Sequence, residues 1–224
     1  MNVLAQQTEI EIEIEASPAG FFETPIAYAH LKNSEQLIQS LEQSIRHRKS
    51  QDDGLQRSNL GGWHSDTNML DWGGSSAKAL ANTAVKLAKR MSHFNDKGID
   101  DYLWSVRMWA NVTGKGGLNQ PHVHPGNIWA AVLYLNMGLD ANVETSVGGE
   151  FYLEDPRFPM LAMHTTAFRL MGVDGNPQNY QPEFKLSRGD LIVFPSWLRH
   201  GVRTYSGEKQ RISIAMNINI IPKQ

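Results

Sequence analysis

From Tyr102 onward the chain breaks into short runs of apolar or alternating residues, and this rhythm restricts the fold more than any other feature. The runs are Leu103–Asn111, Asn127–Asn136, Gly149–Leu153, Thr166–Leu170, Pro182–Leu186, Asp190–Phe194, Gly201–Tyr205 and Arg211–Ile220. Turn formers separate most of them, as in Gly148-Gly149, Gly172 to Gly175, Arg188-Gly189-Asp190 and Ser206-Gly207. Eight short strands at this spacing predict a sandwich or jelly roll.

The first hundred residues read differently. Glu9 to Glu15 alternates Glu and Ile with period two, predicting a half-buried strand with one acidic face that resists edge-to-edge pairing. Asn33 to Arg48 reads as a helix with Leu37, Ile38, Leu41 and Ile45 on one stripe and Asn33 with Gln36 as a capping pair. A second helix is expected from about Ser76 to His93, with Leu80, Ala84, Leu87, Ala88 and Met91 inward. Residues 49–73, polar and Gly-rich, read as irregular chain. The expected architecture is α+β but mainly β, in a single domain. Residues 1–100 would supply an N-terminal strand and helical support, and residues 101–224 the β core.

Composition narrows the function. A net charge of −2 exerts no global pull on nucleic acid or an anionic membrane. No apolar run is long enough to span a bilayer, and Met1 to Ser17 lacks the basic-then-apolar pattern of a secretory signal, so the expected compartment is the cytoplasm. The absence of cysteine leaves His, Asp, Glu and backbone oxygen as the only metal donors.

Those donors come in a telling order. In Pro121-His122-Val123-His124-Pro125 two imidazoles stand two residues apart, which on a strand points them to one side. The flanking prolines favour extended backbone and a strand end. His200 follows Phe194-Pro195 after a short excursion and supplies a third imidazole for one face of a divalent metal. Arg211-Ile212-Ser213 then offers a guanidinium fork and a hydroxyl suited to a carboxylate. Ile212 and Ile214 alternate with Arg211 and Ser213, so packing of the former pair sends the latter into water or into a barrel bore.

Taken with Tyr134-Leu135-Asn136, Gly148-Gly149-Glu150 and Arg188-Gly189-Asp190, this order resembles the Fe(II)/2-oxoglutarate-dependent dioxygenases. Within them it resembles bacterial and phage oxygenases related to prolyl hydroxylases, over roughly residues 102–220. The resemblance implies a double-stranded β-helix (a jelly-roll, cupin-like core) with Fe(II) at its open end and 2-oxoglutarate and O₂ as cosubstrates. It implies His122 and His200 as metal ligands, Arg211 as the partner of the distal 2-oxoglutarate carboxylate, and Ser213 as a second contact to it. Tyr134 and Asn217 are expected to line the same pocket. No catalytic residue is expected beyond the metal centre. Most of the family carries Asp or Glu where this chain has His124. Position 124 is read as a third ligand, giving a three-His set. A carboxylate from Glu150, Glu154 or Asp155 in its place, or a supporting role for His124, stays open.

Candidates for contact with the substrate are His64 and Trp63 in a Gly-Gly-Trp-His-Ser loop, Asn127, and Arg157. The substrate is expected to be a small molecule or a peptidyl side chain. A homodimer stays open, and the acidic strand at 9–15 would suit a sheet edge. Two other functions compete with the oxygenase reading. A three-His cupin-type dioxygenase would need no 2-oxoglutarate, but residues 125–130 lack the glutamate of the usual cupin pattern. A non-enzymatic metal-binding jelly roll would give Arg211-x-Ser213 no task.

Overall fold

The computed structural model describes residues 15–96, 98–139, 147–158, 163 and 165–223, so the 9–15 strand lies outside the described residues except for Glu15. The elements are β1 (Ala27–His30), α1 (Glu35–Lys49), β2 (Asn59–His64), α2 (Met69–Trp72), α3 (Gly74–Arg90), β3 (Tyr102–His122), β4 (Trp129–Asn136), β5 (Phe151–Leu153), β6 (Glu183–Phe184), β7 (Asp190–Pro195), β8 (His200–Val202) and β9 (Arg211–Pro222). The strands hydrogen-bond in the order β1-β7-β4-β9-β3-β8-β5-β6, with β2 also on β3. Strand β3 belongs to both halves, pairing with β9 from Tyr102 to Thr113 and with β8 from Asn119 to His122. The sheet therefore rolls over β3, as a double-stranded β-helix requires.

The roll has an identifiable corner. Gly116 has φ +82° and, opposite it in β2, Gly61 has φ +66°, a region closed to most side chains. A Cβ on Gly117 would meet the Gly61 carbonyl oxygen at 2.9 Å, so β2 and β3 turn together only because glycine lines the crossing.

Period-two alternation separates the two faces. Ile212, Ile214, Met216 and Ile218 of β9 join Ala110, Val112, Leu133 and Val193 in a core covered by α1 and α3. Helix α1 contributes Ile38, Leu41 and Ile45, and α3 contributes Ala77, Leu80, Ala81, Ala84 and Ala88, small residues that let it lie close to the sheet. The inner face holds a second core of Ala130, Tyr134, Phe151, Ile192 and Phe194.

Several local expectations change. Helix α1 starts at Glu35 because Asn33 sits in the left-handed region at φ 53°, and Ser34 Oγ donates to the Leu31 carbonyl instead of capping. Thr166–Leu170 is not a strand: among the described residues no strand pairs with it, and Phe168 N instead closes a turn on Thr165 O. The Gly-Gly-Trp-His segment, read as a loop, is strand β2, its order supplied by pairing with β3. Among the described residues, no helix is long and apolar enough to cross a membrane.

Strand β1 is held to β7 by Asp190. Its carboxylate accepts from Tyr28 Oη at 2.7 Å, the Ser187 backbone N–H at 2.7 Å, and His30 Nδ1 at 2.8 Å. Burial pushes the Asp190 carboxyl up, but these donors outweigh it and hold the group below the usual carboxylate range. A depressed native value contributes stability above the unfolded-state value, lost as pH falls through the native one. Asp190→Asn should therefore lower unfolding free energy by about 2 kcal/mol at neutral pH, with the deficit shrinking in acid; urea titrations near pH 7 and pH 3 check both.

Candidate metal and cosubstrate site

Three histidines meet at the open end of the bore. His122 ends β3 and His200 begins β8, and the two are direct cross-strand partners. His124 lies past the end of β3 rather than on it, and its position is set by the loop: its N–H donates to Ser196 O at 2.9 Å, while Ser196 N donates to Ile128 O at 2.9 Å. Ligand atoms of His122, His124 and His200 all fall within 4.8 Å of one another. His124 Nε2 and His200 Nε2 are 3.2 Å apart, close to the spacing of two cis donors on a metal with bonds of about 2.1 Å.

Backbone carbonyls fix the tautomers. His122 Nδ1 lies 2.7 Å from Gln120 O, and His200 Nδ1 lies 2.8 Å from Leu198 O. A carbonyl only accepts, so both Nδ1 atoms carry hydrogen and both Nε2 atoms present lone pairs to the centre. Burial pushes His200 down to about 3, helped by its two histidine neighbours and opposed by the Leu198 carbonyl. Burial and His122 push His124 down to about 4, and burial lowers His122 as well. All three imidazoles are thus neutral at physiological pH, the form that binds metal.

Behind them runs a cavity of about 420 Å³, walled by Trp109, Asn111, Ala130, Val132, Tyr134, Phe151, Ser213, Ala215 and Asn217 among others. Cross-strand register lines up His64, Asn111, Ser213 and Tyr134 as one polar row across β2, β3, β9 and β4. One step further in on β9 is Arg211, paired with Thr113 and 4% exposed. Its Cζ lies 5.1 Å from the centroid of the Tyr134 ring. Gly149, at φ +80°, makes room for it, since a Cβ there would sit 3.2 Å from Arg211 Nε. Arg211 Nε and Nη2 are buried with no hydrogen-bond partner among the described residues. Burial pushes the Tyr134 phenol up to about 12, so it stays a proton donor.

The other candidates separate. His64 is in the cavity wall, stacked on Trp109 at 5.5 Å and 15°. Trp63, its neighbour, faces the helix-covered core and donates Nε1–H to Asp52 O at 2.8 Å. Asn127 braces the His124 loop through Pro125 O at 3.2 Å and does not line the cavity. Arg157 pairs with Asp155 at 2.8 Å on the surface. Glu150, Glu154 and Asp155 are likewise absent from the cavity wall. Sequence reading missed Trp109, Asn111, Asn119 and Phe151; the signal for the first two was an amide two residues from a tryptophan on one strand face.

A profile of the family described as "Putative 2OG-Fe(II) oxygenase" matches residues 107–217, which span both ends of this site. The chain belongs to the 2OG-Fe(II) oxygenases. It is accordingly an oxidoreductase that uses Fe(II), 2-oxoglutarate and O₂. No curated protein matches the chain. Among solved structures, the prolyl-4-hydroxylase of Pseudomonas putida is similar with a TM-score of 0.56 at 15% identity, covering 88% of this chain and 92% of that one. A Trichoplax adhaerens prolyl hydroxylase, in complex with a hypoxia inducible factor oxygen degradation domain peptide, reaches 0.60 at 13% identity over 87% and 83%. HygX from Streptomyces hygroscopicus, with nickel and 2-oxoglutarate bound, reaches 0.54 at 13% identity over 88% and 83%. At these identities the likeness speaks for the shared β-helix fold.

The neutral histidines yield a pH prediction. Three imidazoles at the ordinary value of about 6.5 would lose roughly a thousandfold in metal affinity between about pH 7.5 and pH 5.5. Here the expected loss of Ni(II) affinity over that interval is below about tenfold, measured by calorimetric titration.

Proposed function

We propose that this oxygenase is a hydroxylase that holds Fe(II) on His122, His124 and His200 and the distal carboxylate of 2-oxoglutarate on Arg211. The observation that carries this reading is the buried Arg211 fork with Nε and Nη2 unpartnered. An isolated buried cation costs several kcal/mol, and a carboxylate presented edge-on satisfies both N–H groups at once. Ser213 and the protonated Tyr134 face the same space and add hydroxyl donors. Asn217, two steps outward from Ala215 on β9, lines the wall toward the histidines. Three Nε2 or Nδ1 lone pairs on neutral imidazoles match the donor set a divalent iron accepts.

Bound together, the iron and 2-oxoglutarate would supply oxidising power from O₂, releasing succinate and CO₂ while a substrate C–H becomes C–OH. The chain's own groups bind, orient and shield. The Gln120 and Leu198 carbonyls keep His122 and His200 turned inward, and Phe151 and Phe194 pack against the His200 ring with centroids 5.8 and 4.7 Å from it, shielding that side from water. A neutral His124 in place of the family's usual carboxylate leaves the centre one unit more positive. Hydroxylation is supported by the fold shared with prolyl hydroxylases, one of which carries a peptide. A cupin-type dioxygenase without 2-oxoglutarate, or a non-enzymatic metal-binding module, leaves the Arg211 fork with no anion.

Anaerobic Fe(II) titration should develop a metal-to-ligand charge-transfer band only with 2-oxoglutarate; no band at saturating cosubstrate overturns the reading. Arg211→Ala should weaken 2-oxoglutarate binding about a hundredfold, as two charge-assisted hydrogen bonds are worth, with metal affinity nearly unchanged. Parallel loss of metal would make Arg211 structural. His124→Asp should retain iron if position 124 is a ligand site that tolerates a carboxylate, and loss of iron would show that the imidazole itself is required.

A further inference from the structure

The cavity wall has a charge character of its own. Among the described residues that line it there is no Asp or Glu, and Arg57 is the only permanent charge. Arg57 is exposed just before β2, and its guanidinium has no hydrogen-bond or ion-pair partner among the described residues. The cavity therefore presents an unneutralised cation at its rim, separate from the buried Arg211 that lies beyond Ser213 on β9.

Beside it stands His64, at 5% exposure and stacked on Trp109, which in turn touches His124 with ring centroids 5.8 Å apart. His64 Nδ1 lies 2.6 Å from the Ser65 carbonyl, so Nδ1 carries the hydrogen and Nε2 is left as an acceptor. Its cross-strand neighbour Asn111 is 9% exposed and has Oδ1 buried without a partner. Two adjacent acceptors thus lack donors in the wall that faces the histidine cluster. Burial, with Arg57 and His122 adding to it, keeps His64 neutral and Nε2 free.

We propose that the primary substrate is an anion bearing an N–H or O–H donor, its carboxylate or phosphate seated on Arg57 and its donor accepted by His64 Nε2 beside Asn111. This inference rests on the oxygenase reading above and adds the substrate class. The arrangement gives two points of attachment on one wall, enough to orient a molecule relative to the histidine cluster. In this scheme His64 is a positioning residue: it aims the substrate and takes no part in bond making.

The test uses the full chain loaded with Mn(II) and 2-oxoglutarate, reading paramagnetic relaxation of small-molecule protons by NMR. N-acetylglycine carries donor and carboxylate, N-acetylglycinamide lacks the anion, N-acetylsarcosine lacks the N–H, and O-phosphoethanolamine offers a phosphate with an ammonium donor. The relaxation enhancement of N-acetylglycine or O-phosphoethanolamine should exceed that of N-acetylglycinamide about tenfold, the worth of one charge-assisted hydrogen bond. Whichever of the two anions relaxes faster identifies the anion source. Arg57→Ala, at an exposed position that folding does not need, should abolish that preference. His64→Phe keeps an aromatic ring against Trp109 and should erase the preference for N-acetylglycine over N-acetylsarcosine. Equal enhancement by neutral and anionic probes, or an anion preference that survives Arg57→Ala, overturns the inference. The charge-transfer band of the same protein loaded anaerobically with Fe(II) in place of Mn(II) separates the two failures: band present without probe preference sinks the inference alone, and band absent sinks both.

Discussion

The antiparallel register between β3 and β9, unbroken from Tyr102↔Pro222 to Thr113↔Arg211, is the constraint on which the remaining structure depends. Because side chains alternate along both strands, one register sorts every residue of the centre at once. Ile212, Ile214, Met216 and Ile218 go to the helix-covered core, and Arg211, Ser213, Ala215 and Asn217 go to the opposite face, where the last three line the cavity. A slip of one residue would bury the polar set under α1 and α3 and open the isoleucines to the cavity. Burial of four large apolar side chains, each worth about 2 kcal/mol, stands against that slip. The hydrophobic core thereby enforces the polar geometry, and the placement of Arg211 is a consequence of packing on the opposite face.

Electrostatics complete the arrangement. The fold removes charge from the histidine cluster by burying it and concentrates positive charge at two separated points, Arg211 inside and Arg57 at the rim. Among the described residues of the cavity wall, nothing acidic answers either one. A low-dielectric space with unmatched cations favours dianionic and anionic guests over neutral ones.

Much of this was legible in the residues. Period-two alternation identified β4, β7 and β9 within a residue or two, and the 3.6 period identified α1 and α3. The histidine spacing picked out three side chains that the fold brings together, and Arg211-x-Ser213 picked out the strand face beside their cavity. What escaped was order that arises only through pairing. Asn59–His64 has the composition of a loop, and it becomes a strand because β3 offers hydrogen bonds across the glycine corner. That error placed His64 in a loop when it belongs to a strand paired with Asn111. Trp63 illustrates the converse: adjacent to His64, it points to the opposite face, as every odd neighbour on a strand must. Thr166–Leu170 shows that alternation without a partner strand does not make one.

One continuous strand, β3, carries Trp109, Asn111 and Asn119 in the cavity wall and His122 at the histidine cluster. The distances among these groups are consequently set by covalent chain and ladder, leaving little freedom to widen the bore. Among the described strands β2 pairs with β3 alone, and it follows directly on the segment that bears Arg57. Divergence in what such an enzyme accepts should therefore accumulate in the short stretch around residues 55–64, while the oxidising end stays the same: a fixed engine behind an exchangeable gatepost.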